Sequence, residues 1–494
     1  MLSIDVIVPQ SNPRHWQNVA IERLKAEGHD VAVLHQPGSE SWPTAANAAF
    51  AFEQRLFRRR RPNLGAPLRE IQARHASRPA ALRLDLAGNA ALSDVPTVGF
   101  LFDGSPSDLA AAKAVAAARL PVIEAVLDGK TVVGRARPMV DKRESAALGT
   151  EDVLARAITL VVSVARAFAE GRLSRGERMP EASGPDQAKA KQFANAYLGA
   201  ALPRLGREVI RRARYRHAHW RVGYRFTDAP GVAETGRLGT GWSVLPDPGD
   251  HFYADPFPFE WQGGSYLFVE DYPHATGKAV ISVVAFDADG VPSRPRVALE
   301  EPHHLSYPQV FERDGVIWML PEASASGKLT LYRASDFPDG WAAETVLVEG
   351  EISDATLLEH GGLLWLFATD RDGYGSTSDM LVVFSAPALA GPWKPHPTNP
   401  ILIDHRMARP GGAFVRAQNG RVFLPVQDGT LGYGGGLGLS ELFELDQRTV
   451  KLSAPRPIDT EGDWPYPKIH TLNRSGRLEV IDGIAAVLKR SGNK

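Results

Sequence analysis

The chain has 494 residues, a formal net charge of −1, 44% apolar residues and no cysteine. That length exceeds one ordinary hydrophobic core and points to more than one domain, while the balanced charge lacks the basic footprint of a nucleic-acid binder. Without cysteine there are no disulfides and no thiolate metal sites, and there is no apolar run long enough to cross a membrane.

The N-terminal stretch Met1–Pro9 lacks a basic region and carries Asp5 within its apolar run. It reads as a strand, not a signal peptide, and a cytoplasmic location is expected. Strand signals follow at Ile4–Val8, Val31–Leu34, Leu82–Leu86, Thr97–Phe102, Val122–Leu127 and Thr131–Arg137, the last two joined as a hairpin by Asp128-Gly129. Helical spacing runs from Trp16 to Glu27, ending at Gly28, and again over Glu151–Phe168. Strands alternating with helices predict a three-layer α/β domain over residues 1–170.

Residues 171–218 read as a linker followed by a basic helical connector. Gly171–Gln192 is rich in Gly, Ser, Pro and charge, and Arg204, Arg207, Arg211, Arg212, Arg214, Arg216 and Arg221 follow. That basic stretch is either a solvated helix face or a docking surface for anionic lipid or a protein partner. The run Arg58–Arg61 reads as a solvated loop.

Over residues 219–494 one phrase recurs: a polar or small residue, a short apolar run, a turn with Gly, an apolar strand, then an acid or amide. Its copies open at Asp255, Tyr307, Asp354, Arg409 and His470 and close at Glu270, Glu322, Asp370, Gln427-Asp428 and Asp482. A spacing of roughly 50 residues matches the blade period of a propeller, here five-bladed. The fifth copy has little chain after it, so an early strand, Trp220–Phe226 or Gly241–Leu245, is expected to close the last blade.

A propeller brings the opening residue of each blade to a central funnel. Asp255 there suits a general base or nucleophile, Glu322 a general acid or an ion pair with Arg409 or Arg333, and Asp354 the second member of an acid pair. Arg409 suits bidentate recognition of a substrate anion. Gln427, Asp428 and Tyr433 border a Gly-rich turn near the funnel, and Glu270 joins the substrate-binding set. His470 faces the channel, towards an ion or water, or plays a structural part. Tyr253, Tyr307 and Tyr433 are placed to stack on sugar rings. No cofactor or metal site is expected from motifs.

The set Asp255-Pro-Phe, Ser306-Tyr-Pro with Met319-Leu-Pro-Glu322, Phe337-Pro-Asp-Gly-Trp341, Asp354-Ala-Thr, Ala408-Arg-Pro-Gly411 and Gln427-Asp428 with Tyr433-Gly434 resembles one known family. It is the propeller on the N-terminal side of plant glucosamine inositolphosphorylceramide transferases, where a separate glycosyltransferase domain follows; none is recognised in this sequence. Ala254-Asp-Pro with Gly263-Gly-Ser-Tyr-Leu-Phe268 is more distantly similar to the first blade of family 43 glycoside hydrolases. That likeness implies a general base at Asp255, but the next blade carries Tyr307 where that family has an acid. Leu84–Gly88, Gly99–Gly104 and the strand pair around Asp128-Gly129 resemble the folate-dependent formyltransferase fold. Asn89 is present, but the His-Gly part of that signature is missing: no His lies between His75 and His217.

Together these resemblances imply a carbohydrate-active protein taking a glycan, glycolipid or sugar nucleotide. Its chemistry would be glycosyl transfer or glycosidic cleavage using Asp255 with Glu322 or Asp354. The alternatives are a sugar-binding scaffold for a separate glycosyltransferase and formyl transfer by the N-terminal domain.

Overall fold

The computed structural model describes residues 1–57, 63–91, 93–173, 193–216, 219–417, 419–466 and 468–489. The Arg58–Arg61 run and most of the Gly171–Gln192 stretch lie outside them. The chain divides into two compact units, Met1–Arg211 with Asp372–Ser376, and Arg212–Arg371 with Thr377–Lys494.

In the first unit the sheet runs Asp30–Gln36, Ser3–Pro9, Leu82–Asp85, Thr97–Phe102, Ile123–Leu127, Thr131–Arg137. The first four strands are parallel and the last two antiparallel. Parallel strands are covered on both faces and read as unbroken apolar runs, and Ile4, Val6, Ile7 and Val8 are all buried. The helix His15–Ala26 stops at Gly28, as its spacing predicts. The helix expected from Glu151 begins earlier, at Ala146, because the Ser145 side chain accepts the Leu148 amide and caps it. Helices Thr44–Phe57 and Leu109–Ala116 were not anticipated; they pack Trp42, Ala46, Phe50, Leu109 and Ala112 against Phe193 and Tyr197. Asn89 is exposed, in a loop whose flanking amides bond Asp85.

The second unit is a propeller-like succession of antiparallel sheets. His251–Trp261, Gly264–Pro273, Val280–Phe286 and Arg296–Leu299 form the first, and Ser306–Arg313, Val316–Glu322, Lys328–Asp336 and Gly340–Glu349 the second. Next come Ile352–His360, Leu363–Asp370, Met380–Ala386 and Leu402–Asp404, then Val415–Arg416, Val422–Gln427, Leu437–Leu445 and Val450–Leu452. The last sheet joins Leu472–Ser475 and Leu478–Ala485 to His219–Phe226 and Ser243–Val244, so the early strand does pair with the C-terminal hairpin, from Ala485↔His219 to Leu478↔Phe226. Arg221 therefore belongs to this strand, not to the basic helix, and pairs with Asp247.

Each of the first three sheets starts with a two-residue hairpin, Gln262-Gly263, Asp314-Gly315 and Gly361-Gly362. All six of these residues have positive φ, between 50° and 79°. That geometry matches the right-handed twist of the flanking strands, which is why Gly recurs at this point of the repeat.

Candidate functional site

The opening strands of the first three sheets break register at equivalent places, Ala254/Phe257, Ser306/Gln309 and Ser353/Thr356. Within each break one non-glycine residue adopts a left-handed backbone: Asp255 (φ 47°), Tyr307 (φ 47°) and Asp354 (φ 50°). Bulges of this kind re-aim a side chain, and the strain, roughly 1–3 kcal/mol each, must be met by surrounding contacts. All three side chains are buried and joined to residues of other sheets.

Asp255 meets the last hairpin. Its Oδ1 accepts from Thr471 Oγ1 at 3.0 Å and lies 3.2 Å from His470 Nε2. The other edge of that ring, Nδ1, is 2.7 Å from Asp482 Oδ1. Asp482 also accepts the backbone amides of Asp255, His470 and Thr471 at 3.0–3.2 Å. With carboxylates on both edges, His470 carries both ring protons. Burial pushes it down, but Asp482 and then Asp255 outweigh that and raise it to about 10. Burial alone would raise Asp255, yet His470, Arg409 and Thr471 hold it below the usual carboxylate range. Trp220 stacks on His470 at 3.9 Å between ring centroids.

Asp354 meets Arg409 through two charge-assisted bonds, Nε to Oδ2 at 2.6 Å and Nη2 to Oδ1 at 3.0 Å. Gln427 Nε2 donates to the same Oδ2 at 2.9 Å, and Arg409 Nη1 reaches Ser378 Oγ at 3.1 Å and Thr377 Oγ1 at 3.2 Å. The bidentate edge expected to clamp a substrate anion is thus occupied by Asp354. Burial pushes the Asp354 carboxyl up, to about 6, against the pull of Arg409.

The acids closing the strand phrase separate in role. Glu270 lies opposite Ala254 in register, and its Oε1 is 3.3 Å from His304 Nε2. Burial raises Glu270, opposed by His304 and reinforced by Asp255. Glu322 pairs with neither Arg409 nor Arg333; it accepts from Ser306 Oγ at 3.1 Å, the Ser324 amide at 3.0 Å and Ser353 Oγ at 3.3 Å. Asp428 stands apart, its carboxylate capping a turn through the Thr430 amide.

Of the three tyrosines expected to stack on sugar, two are buried. Tyr253 sits in the core with Leu267 and Val284. The Tyr307 hydroxyl lies 2.8 Å from Thr356 Oγ1 and accepts the Gly412 amide at 2.7 Å. Tyr433 is 49% exposed, beneath the Arg409 guanidinium at 5.3 Å and edge-on to His470 at 5.7 Å. Sequence reasoning missed His304, in a connector, and Trp220, in the closing strand. It also passed over Asp482, although the repeat places that residue level with Glu270 and Glu322. Asp255, His470 and Asp482 offer ligand atoms close enough together to hold a cation, and both nitrogens of His470 face carboxylates. A cavity of about 430 Å³ lined by Glu234, Arg421, Phe423, Glu441 and Arg456 includes none of these residues.

Residues 246–457 match the family model described as glucosamine inositolphosphorylceramide transferase 1, N-terminal. The protein of that name from Arabidopsis thaliana is 35% identical over 206 residues, covering 41% of this chain and 27% of its own length. The one from Oryza sativa subsp. japonica is 34% identical over the same shares. The chain thus spans little more than a quarter of these relatives. Among solved structures, a thermostable family-43 glycoside hydrolase is 13% identical, with a TM-score of 0.36 over 51% of this chain and 88% of its own. An α-L-arabinofuranosidase from Podospora anserina, solved with cellotriose, is 14% identical, with a TM-score of 0.37 over 49% and 95%. No chemistry follows from a likeness at that level. The matched stretch holds Asp255, Glu270, Glu322, Asp354, Arg409 and Tyr433 but stops short of His470 and Asp482. Residues 246–457, then, are the part of this chain that is similar to the glucosamine inositolphosphorylceramide transferase 1 N-terminal family.

Proposed function

We propose that the second unit is a carbohydrate-active module, five-bladed and closed by His219–Phe226, whose axial cluster takes a glycan, a glycolipid headgroup or a sugar nucleotide for glycosyl transfer or glycosidic-bond chemistry. The observation that carries this reading is a pair of neighbouring carboxyls driven in opposite directions. Asp255 is held ionised by His470, and Glu270 is pushed towards its protonated form by burial. Two acids with divergent proton affinities suit a base or nucleophile beside a general acid. On this reading Glu270 takes the acid part, because Asp354 is committed to Arg409 and Glu322 to two serines and an amide. The name of the matched relatives, which joins glucosamine to an inositolphosphate lipid, supports an aminosugar or an inositol phosphate as the ligand.

The experiment is a thermal-shift screen of the full chain against sugar nucleotides, inositol phosphates and simple glycosides, followed by turnover assays on Asp255→Asn and Glu270→Gln. A ligand at about 100 times its dissociation constant adds about 2.7 kcal/mol to the form it binds. Ligand-dependent turnover lost in both variants supports the enzyme. Undiminished turnover in both would overturn the assignment of these acids.

A second reading, a sugar-binding scaffold for a separate glycosyltransferase, is favoured by the saturation of the cluster: Asp354, Glu322 and Asp482 all have their acceptors filled by protein donors. Binding without turnover, weakened by Tyr433→Ala, supports it. We read the first unit as a formyltransferase-like scaffold without that chemistry, since the His-Gly signature is missing.

A further inference from the structure

The helix Leu202–Arg214 is held along one side and, at its C-terminal end, by Lys489, which bonds the carbonyls of Arg212 and Arg214. Leu205 is buried, and Arg204 Nη2 bonds the carbonyls of Val115 and Ala116, both at 3.0 Å, at the C-terminal end of a neighbouring helix. Just before it, Phe193, Tyr197 and Ala201 enter the core. Beside exposed arginines, large apolar side chains also face solvent: Leu202 is 42% exposed, Val209 59% and Ile210 55%, with Leu198 at 61% one turn earlier.

At 100° per residue, Leu202, Val209 and exposed Ala213 fall on one arc with Ile210 at its edge. Arg207 and Arg214 border that arc on one flank, and the buried Leu205 lies on the other. A surface helix ordinarily turns its polar face outward; this one turns an apolar stripe outward beside a cationic flank.

We propose that the outward face of Leu202–Arg214 docks the protein on an anionic lipid surface. Between Phe193 and Arg216 there are six arginines and one acid, Glu208, which Arg211 already holds through two bonds of 2.7 Å, in a chain of net charge −1. Anionic headgroups complement that charge while Leu202, Val209 and Ile210 enter the acyl boundary, the arrangement of interfacial helices. A second copy of the chain would set arginine against arginine, and a nucleic acid would leave the apolar arc uncovered. Among the described residues no helix is long and apolar enough to cross a membrane, so the contact is one of lying on the surface.

The test is flotation of the full chain with vesicles of phosphatidylcholine alone and with phosphatidylserine added, at low and high salt. Binding is expected to the anionic vesicles only and to weaken with salt. Each near-surface cation contributes about fivefold in partitioning, so Arg207→Gln with Arg214→Gln should lower binding about 25-fold. Val209→Asp with Ile210→Asp should abolish it. All four positions are exposed, and unchanged unfolding temperatures would show that the variants fold. Failure to float with anionic vesicles, equal binding by either double variant, or a dimer in light scattering that Val209→Asp dissolves while vesicle binding persists would each overturn the proposal.

Discussion

Asp354, at the register break of the third sheet, and Arg409, in the segment leading to the fourth, are 55 positions apart and meet in a buried bidentate pair. Removing one partner strands the other charge in the interior, which costs about 3–5 kcal/mol. Asp354→Ala should therefore lower the unfolding free energy by that amount, seen as a lower urea midpoint. Replacing both, as Arg409→Met with Asp354→Leu, should recover much of the loss. Urea titrations of the single and double variants measure it.

The imidazolium of His470 sets a pH window. Its affinity for the proton is higher folded (about 10) than in the unfolded chain, about 6.5. The stability it contributes is therefore complete below about pH 6.5 and lost as pH rises through 10. Unfolding free energy measured from pH 6 to 10.5 should fall across that range in the native chain. In His470→Gln it should be lower at pH 6 and flatter, since the titrating group has gone.

Tyr307 and Tyr433 should behave oppositely. Tyr307→Phe removes the acceptor of the buried Gly412 amide and should destabilise by about 1–3 kcal/mol, leaving sugar affinity unchanged. Tyr433→Ala should do the reverse, weakening ligand binding with little effect on unfolding. Isothermal titration beside thermal melts separates the two.

Gly434 has φ +64°, and a Cβ there would come 2.2 Å from the Trp220 ring that stacks on His470. Gly434→Ala should destabilise by about 1–3 kcal/mol. It should also displace the Trp220 indole, a change visible as a shift in tryptophan fluorescence that Gly436→Ala, with its nearest contact at 3.8 Å, does not reproduce.

The repeat made the inner positions legible: Asp255, Tyr307 and Asp354 sit at equivalent register breaks because each lies eight positions before a hairpin glycine, Gly263, Gly315 and Gly362, whereas Arg409 and His470 lie at other distances, ahead of the strands Val415–Arg416 and Leu472–Ser475. Their partners were harder to read. An acid at Glu322 and one at Asp482 look alike in sequence, but the first caps hydroxyls and the second holds an imidazolium, a difference made by the residues that other sheets bring alongside. Tyr307 looked like a stacking platform because an aromatic opening a strand gives no sign of depth; its hydroxyl turned out to reach across to Thr356 and Gly412. In the first unit, the Ala-rich helix Leu109–Ala116 is so nearly all apolar that periodicity does not mark it.

The pairing of His219–Phe226 with Leu478–Ala485 has a consequence for assembly. Three groups that hold Asp255 in place (His470, Thr471 and Asp482) belong to the very hairpin that the early strand must find across more than 200 residues of chain. Pairing of the early strand and completion of the Asp255 cluster thus depend on the same stretch of chain. A nascent chain that has released everything up to Arg456 can own four finished sheets and still lack His470, Thr471 and Asp482. Contacts so distant in sequence form slowly, so the surroundings of Asp255 are complete only once the final hairpin has paired.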